Sequence, residues 1–123
     1  MSKIERFEDL NCWKEARELV KMVFLISRKE ALKHDYALVK QLKSAALSVM
    51  NNIAEGFGRI SDKEFIRFLD FSEGSAQEVR SMTYVLIDLN YIDEKEFHLL
   101  QTKVESTRNL VLGLIRYLRN KNK

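Results

Sequence analysis

Apolar residues recur at intervals of three and four along most of this chain, which is the spacing of one face of an α-helix. Four such stretches follow one another, at about residues 11–29, 36–56, 62–90 and from 93 to the end of the chain. Short connections make sequential helices antiparallel neighbours. The pattern therefore predicts an all-α, antiparallel, up-and-down four-helix bundle that forms one domain, residues 1–123.

Each predicted helix has its own candidate core face. Helix 1 carries it at Trp13, Ala16, Val20 and Val23. Helix 2 carries it at Val39, Leu42, Ala46, Val49 and Ile53. Helix 3 carries it at Phe65, Phe68, Ser72, Ser75, Val79, Met82, Leu86 and Leu89. Helix 4 carries it at Phe97, Leu100, Val104, Thr107, Val111, Leu114 and Leu118.

The helix boundaries are marked by capping residues and by glycine. Asp9 or Asn11 is the expected N-cap of helix 1, and Asp35 that of helix 2, after a connection at residues 30–35. Gly56 and Gly58 are expected to end helix 2, because glycine adopts the left-handed conformation without a Cβ penalty. The next two helices begin with capping-box spacings, S-x-x-E and D-x-x-E, at Ser61 with Glu64 and at Asp93 with Glu96.

Gly74 lies in the middle of helix 3, where glycine costs about 1 kcal/mol relative to alanine. We expect it to mark a close approach of helix 2 near Ala45, Ala46 and Ser48. Glu73 and Glu78 flank this point. Either both glutamates are solvated, or one of them pairs inside the bundle with Asn52, Arg59 or Lys43.

Helices 1 and 4 carry more apolar surface than one partner helix can cover. Residues 22–26 are five consecutive apolar side chains, which cover the whole circumference of a helix. Leu110, Leu112 and Ile115 widen the apolar stripe of helix 4. A position deep in the monomer is the alternative for residues 22–26, but we favour a subunit contact, and therefore a homo-oligomer.

Composition limits the environment and the class of partner. The net charge is +3 with no proline and only four glycines, which is typical of long helices and is compatible with a nucleic-acid partner. The single cysteine, Cys12, cannot form an intramolecular disulfide and fits a reducing compartment. The charged N-terminus lacks a signal peptide's apolar region, and no apolar run reaches the ~20 residues of a membrane span. We expect a cytoplasmic protein with no membrane partner.

Two groups of basic residues are candidate phosphate contacts. Lys14, Arg17, Lys21 and Arg28 fall on one stripe of helix 1, and Arg59, Lys63 and Arg67 surround the corner between helices 2 and 3. The alternative for the first group is an ordinary solvated face, since Glu15 and Glu18 are close in sequence.

No combination of residues predicts catalysis, a metal site or a cofactor. Residues 56–61, GFGRIS, lack the third glycine of a dinucleotide fingerprint, and they follow a helix rather than a strand. Neither His34 nor His98 has a glutamate three positions before it, as a di-iron bundle requires. His34 is expected to be exposed, Cys12 to be an inert thiol, and the protein to be non-enzymatic.

Several stretches carry a family resemblance. Residues 41–59 read QLKSAALSVMNNIAEGFGR, and FEDL at 7–10, WKEA at 13–16, SDKEFIRFL at 61–69 and GSAQE at 74–78 accompany them in order. In these stretches the chain resembles the 23S rRNA-intervening-sequence proteins, also called the S23 or four-helix-bundle family. The motif positions are Asn52, Glu55, Gly56, Gly58, Ser61, Glu64, Gly74, Ser75 and Glu78.

The chain departs from the family pattern near helix 2. Lys43 and Ser44 stand where two arginines are usual, Met50 stands where proline is frequent, and a Phe-Pro pair before helix 2 is missing. The lost arginine weakens any electrostatic role of that position, and the missing prolines loosen the turn.

The resemblance implies a left-handed antiparallel four-helix bundle, commonly a homopentamer, with no catalytic residues. Some members are encoded inside insertions in large-subunit rRNA genes. Similar proteins are accessory factors of diversity-generating retroelements, where a basic pentamer binds nucleic acid and a reverse transcriptase. The first hypothesis is therefore an oligomeric RNA- or DNA-associated accessory protein that binds backbone phosphates. The alternative is a scaffold that docks a partner protein through exposed apolar helix faces.

Overall fold

The computed structural model describes residues 4–121, and within that range the chain forms four α-helices and no β-strand. They are α1 (Asn11–Ile26), α2 (Tyr36–Phe57), α3 (Asp62–Asp88) and α4 (Glu94–Lys121), preceded by a 3-10 turn at Phe7–Asp9. Each helix packs against the next, α4 closes against α1, and the two diagonal pairs do not approach each other. The predicted antiparallel up-and-down four-helix bundle is confirmed, and its left-handed turn stays a prediction.

The core is made of aliphatic side chains from all four helices. The face predicted for α2 is confirmed, since all of its members but the half-buried Val39 are fully buried. In α4, Ile115 is buried where Leu114 was predicted, and Leu114 and Phe97 are half-buried. In α1, Trp13 and Val20 lie half-buried at the rim, because the buried face consists of Cys12, Ala16, Leu19 and Val23.

The core register predicted for α3 is wrong at every second position. The buried face is Phe65, Leu69, Ser72, Ala76, Val79, Thr83 and Leu86. Leu69, Ala76 and Thr83 thus replace the predicted Phe68, Ser75 and Met82, and Leu89 is 53% exposed. The polar members fit because each hydroxyl donates to a backbone carbonyl: Ser72 to Val49 and Thr83 to Arg80, both at 2.7 Å.

Three helix starts have the predicted caps. The Asp35 carboxylate accepts from the Leu38 N–H at 3.3 Å, and the Ser61 hydroxyl accepts from the Glu64 N–H at 3.2 Å. Asp93 and Glu96 bond reciprocally, each side chain accepting from the other's N–H at 2.8 and 3.0 Å. These bonds satisfy donors that the first turn of a helix leaves without intrahelical partners.

Helix α1 differs from the prediction at both ends. Its N-cap is Leu10, with no side-chain cap bond, because the Phe7–Asp9 turn leads directly into the helix. The helix ends at Ile26 rather than near residue 29. There the Ser27 hydroxyl donates to the Val23 carbonyl at 2.7 Å, and the N–H of Arg28 bonds three residues back, to Leu25 at 3.2 Å. This tighter spacing closes the last turn, so the connection begins earlier than predicted.

Gly58 ends α2 as predicted, but Gly56 does not, and neither has the predicted left-handed conformation. Gly56 is buried inside α2, and the Gly58 C-cap has φ −80°, so neither is left-handed. A Cβ on Gly56 would lie 2.7 Å from Phe68 Cβ and 3.0 Å from Phe65 Cδ1, so α3 crosses α2 directly over it. Gly74 is exposed and nothing lies within 4 Å of its Cβ position, so the close approach predicted there is wrong.

Helix α3 ends at Asp88, two residues before the predicted end near Asn90. Asn90 has φ 60°, the only left-handed non-glycine residue in the described range. Its N–H bonds to the Ile87 carbonyl at 3.0 Å, and the Tyr91 N–H bonds to the Leu86 carbonyl at 2.9 Å. This is the Schellman arrangement, in which asparagine replaces the more frequent glycine.

We predict opposite effects for two glycine-to-alanine changes. Gly56→Ala should lower the free energy of unfolding by about 1–3 kcal/mol, because the new methyl overpacks the contact with Phe68. Gly74→Ala is the matched control and should raise it by about 0.5–1 kcal/mol, since alanine is the better helix former at an open site. Urea unfolding of both variants measures the difference, and the reverse order would contradict the packing at Gly56.

Candidate nucleic-acid interface

Three of the predicted phosphate contacts form a row on the outer side of α1. Lys14, Arg17 and Lys21 are exposed and lie on the side of the helix opposite its buried face. Among residues 4–121, no carboxylate lies within ion-pair distance of any of the three. Arg28, the predicted fourth member, lies in the turn after Ile26 and is not part of the helical row.

The two acids of α1 are turned toward α4. The Glu15 carboxylate accepts from the Ser106 hydroxyl, and Lys103 Nζ lies 3.3 Å from Glu15 and 3.5 Å from Glu18. The Ser106 bond, together with Lys103, holds the pKa of the Glu15 carboxyl below its ordinary value. Glu15 and Lys103 are 19% and 22% exposed, so the pair is largely screened from water. The outer face of α1 is therefore left basic.

Sequence reasoning does not identify Lys103 or Ser106. They lie 88 and 91 positions from Glu15, and no local motif marks either of them. The direction in which Glu15 points depends on which face of α4 packs against α1, and this is known only once the bundle is assembled.

The second basic group surrounds the corner between α2 and α3. The Arg59 guanidinium lies 4.5 Å from the Phe68 ring centroid, and that of Arg67 lies 5.4 Å from Phe71. Both arginines also have acidic partners, Glu55 at 3.9 Å and Glu64 at 3.2 Å. Lys63 is exposed.

Acids and bases are interspersed at this corner, where Lys121 of α4 also pairs with Asp62 at 3.3 Å. Residues 55–70 contain the three bases Arg59, Lys63 and Arg67 against four acids, Glu55, Asp62, Glu64 and Asp70. The corner is therefore a poorer phosphate surface than the outer side of α1. The structure does not bring the two groups together, since α1 and α3 are diagonal partners.

Other candidate sites are sparse in the described part of the chain. Cys12 is buried, and burial raises the pKa of its thiol to about 11. His34 is exposed, as expected, and its Nδ1 lies 3.5 Å from the Tyr36 hydroxyl. Within residues 4–121, no three His, Cys, Asp or Glu side chains are grouped as a metal site requires, and no helix has the length and apolarity needed to cross a bilayer.

Comparison with known proteins places the chain in a family. The model of the 23S rRNA-intervening sequence protein family matches residues 8–113, which is most of the chain. The chain belongs to this family. A solved protein of unknown function from the S23 ribosomal protein family of Bacteroides thetaiotaomicron has the same fold, with a TM-score of 0.77. It is 21% identical, over 85% of this chain and 97% of that one. No curated protein matches the chain.

Two of the motif residues, Ser75 and Glu78, bond across from α3 to α2, and Asn52 bonds within α2 to the same Ser48. The hydroxyls of Ser48 and Ser75 are 2.8 Å apart, and the Asn52 amide donates to the Ser48 carbonyl at 2.8 Å. Glu78 accepts from Gln41 at 2.5 Å. These bonds, with the caps and glycines described above, give the motif a role in holding the two helices in register.

Neither glutamate beside Gly74 pairs with a member of the predicted set, and Glu78 is exposed, which agrees with the solvated alternative. Glu78 bonds to Gln41, as described above. Glu73 accepts from Arg108 Nε of α4 at 2.6 Å. The predicted set, Asn52, Arg59 and Lys43, lies toward α2 or its corner, whereas Glu73 lies on the α4 side of α3. The partner of each glutamate depends on which positions of α3 face α2 and which face α4. The sequence pattern does not fix these positions to within one residue.

We predict a pH-dependent contribution from Glu15. Its folded-state pKa lies below the ordinary 4.5, so its stabilising effect is complete above that value and is lost as the pH falls through the folded-state pKa. The difference in unfolding free energy between wild type and Glu15→Gln should therefore be constant from about pH 7 to about pH 5 and shrink at lower pH. If the difference in unfolding free energy between wild type and Glu15→Gln grew as the pH fell, the contact of Glu15 with Ser106 and Lys103 would be contradicted.

Proposed function

We propose that this intervening-sequence protein is a non-enzymatic, oligomeric accessory protein that associates with RNA or DNA through backbone phosphates. The observation that carries the proposal is the outward row Lys14, Arg17 and Lys21, whose neighbouring acids are engaged by α4. Without that engagement the row would be an ordinary mixed-charge surface. With it, three cations face solvent together on one rigid helix.

Binding of this kind is driven by release of the counterions that nucleic acid condenses around its phosphates. Lysine and arginine on a rigid helix each displace such ions without reading base sequence. The proposal therefore requires affinity that falls steeply with salt and depends little on sequence. It requires no catalytic group. The family resemblance implies none, and the one thiol is buried with a raised pKa.

Exposed apolar side chains support the oligomeric part of the proposal. Val23 is fully buried, but Leu25, in the same apolar run, is 50% exposed. On α4, Leu99, Leu110 and Tyr117 are 53%, 38% and 49% exposed. They lie on the side of α4 that carries Lys103 and Ser106, and so they flank the contact with α1. We propose that other copies of the chain cover this apolar rim, and the family resemblance favours a pentamer.

The second candidate function is a scaffold for a different protein, and the same apolar rim favours it. A cavity of about 720 Å³ at the adjoining end of the bundle extends the apolar surface, with Leu10, Phe57, Phe65 and Tyr117 among its lining residues. A cavity of this size can receive a few apolar side chains of a partner protein. Recovery of one defined protein partner at fixed stoichiometry, from cells and free of nucleic acid, would favour the scaffold.

The nucleic-acid proposal is tested by filter binding to a structured RNA at several salt concentrations. We expect affinity well below millimolar for wild type. In the triple variant Lys14→Gln/Arg17→Gln/Lys21→Gln, the slope of log K against log salt should be shallower by about 3. The matched triple variant on α4, Lys95→Gln/Arg116→Gln/Arg119→Gln, should retain most of the slope. Wild-type binding that is only millimolar, or that ignores salt, would contradict the proposal.

The oligomer is tested by light scattering of the purified protein. Leu25→Glu/Leu110→Glu should reduce the native mass toward that of a single chain, because two charges enter the apolar rim. Ile60→Glu, which changes a fully exposed residue at the α2–α3 corner, should leave the mass unchanged. A wild-type protein that is monomeric at micromolar concentration would rule out the oligomeric part of the proposal.

A further inference from the structure

Helix α2 places a second row of cations beside the row on α1. Lys43 Nζ lies 4.8 Å from the ring centroid of Phe24, so this lysine reaches across the contact between the two helices. Lys40 is exposed and lies three positions earlier, one turn away on the same side of α2. Neither residue belongs to the groups that the sequence predicts.

Helices α1 and α2 place no acid on the face that they share, and Glu30, in the connection between them, pairs with Lys33 at 2.6 Å. The only acids of α1 are Glu15 and Glu18, which face α4, and the only acid of α2 is Glu55. Glu55 lies on the α3 side of α2, because it is seven positions after Ser48, which bonds to α3, and it is fifteen residues, about 22 Å, from Lys40 along the axis. Five cations of one sign therefore lie together, and we name them the basic face: Lys14, Arg17, Lys21, Lys40 and Lys43.

The dimensions of the basic face fit a nucleic-acid backbone. Lys14 and Lys21 lie two turns apart, about 10 Å along the axis, and neighbouring helix axes are about 8–10 Å apart. Lys43 lies level with Phe24, and because α2 is antiparallel to α1, Lys40 lies one turn farther from Lys14. The cations therefore form a patch about 20 Å long and about 10 Å wide, large enough to meet several phosphates at once. A patch of one sign also attracts a polyanion before contact is made.

Two aromatic rings of this face, Trp13 and Phe24, are not free for unstacked bases. Phe24 is half-buried beneath Lys43, and Trp13 is half-buried with the Arg17 guanidinium 5.8 Å from its ring centroid. Proteins that bind single strands present aromatic rings on which bases stack. Tyr36, which is 74% exposed and lies one turn before Lys40, is the ring left open here, so one base has a platform, whereas a phosphate backbone has five point charges.

We infer that the basic face binds the phosphate backbone of base-paired RNA or DNA, without reading base sequence and in preference to single strands. This inference rests on the proposed function and assigns it to a specific face and a class of ligand. The corner at Arg59 and Arg67 is peripheral, because acids compensate its charge.

The test compares two double variants by filter binding to a 20-base-pair RNA duplex and to an unstructured single strand of equal length. Lys40→Gln/Lys43→Gln should reduce the slope of log K against log salt for the duplex by about 2. The corner variant Lys63→Gln/Arg67→Gln should reduce it by less than half as much. Lys40→Gln alone, which breaks no described contact, should reduce the slope by about 1 and excludes a folding effect.

Each outcome separates the inference from the function on which it rests. If wild type binds neither nucleic acid, the proposed function fails, and the inference fails with it. If wild type binds but only the corner variant loses slope, the function stands and the assignment to the basic face is overturned. Tighter binding of wild type to the single strand than to the duplex overturns the ligand class. The inference is supported if only the Lys40 and Lys43 variants lose salt slope and wild type binds the duplex more tightly than the single strand.

Discussion

The bundle depends on the contact between its first and last helices, where Lys103 of α4 meets Glu15 and Glu18 of α1. This contact closes the ring of helices and also decides where charge lies. Because the carboxylates of α1 are drawn toward α4, the outer side of α1 keeps its lysines and arginine without compensating acids. A single interaction thus links closure of the fold to the electrostatics of the surface proposed to bind nucleic acid.

Most of the folding free energy comes from elsewhere. An exposed ion pair contributes about 0–1 kcal/mol, whereas burial of one large aliphatic side chain contributes about 1.5–3 kcal/mol, and the core buries such side chains from every helix. Polar groups inside the bundle are bonded to carbonyls, as with Ser72 and Val49 at 2.7 Å. The Lys103 contact therefore specifies how α1 and α4 meet more than it adds to stability. Its consequence is that the acids of α1 lie beside α4 and the bases of α1 lie on its outer side.

The number of helices, their order and three of their caps follow from sequence, because spacing and capping chemistry are local properties. The register of α3 does not, since Phe68 and Leu69 are both apolar and only packing selects Leu69. Gly56 has its role because α3 crosses above it, which no local pattern reveals. The candidate site shows the same limit: Lys14, Arg17 and Lys21 are visible in the sequence, but the positions of Glu15, Lys40 and Lys43 require the assembled helices.

The most direct measurement is lysine footprinting: brief acetylation of the protein with and without duplex RNA, followed by mass spectrometry of each site. Exposed lysines occur on both the proposed face and the rest of the bundle, so one experiment compares them under identical conditions. The basic face predicts that duplex RNA protects Lys14, Lys21, Lys40 and Lys43 while Lys63 and Lys95 react as before. Equal protection of all six, or protection of Lys63 and Lys95 alone, would contradict it.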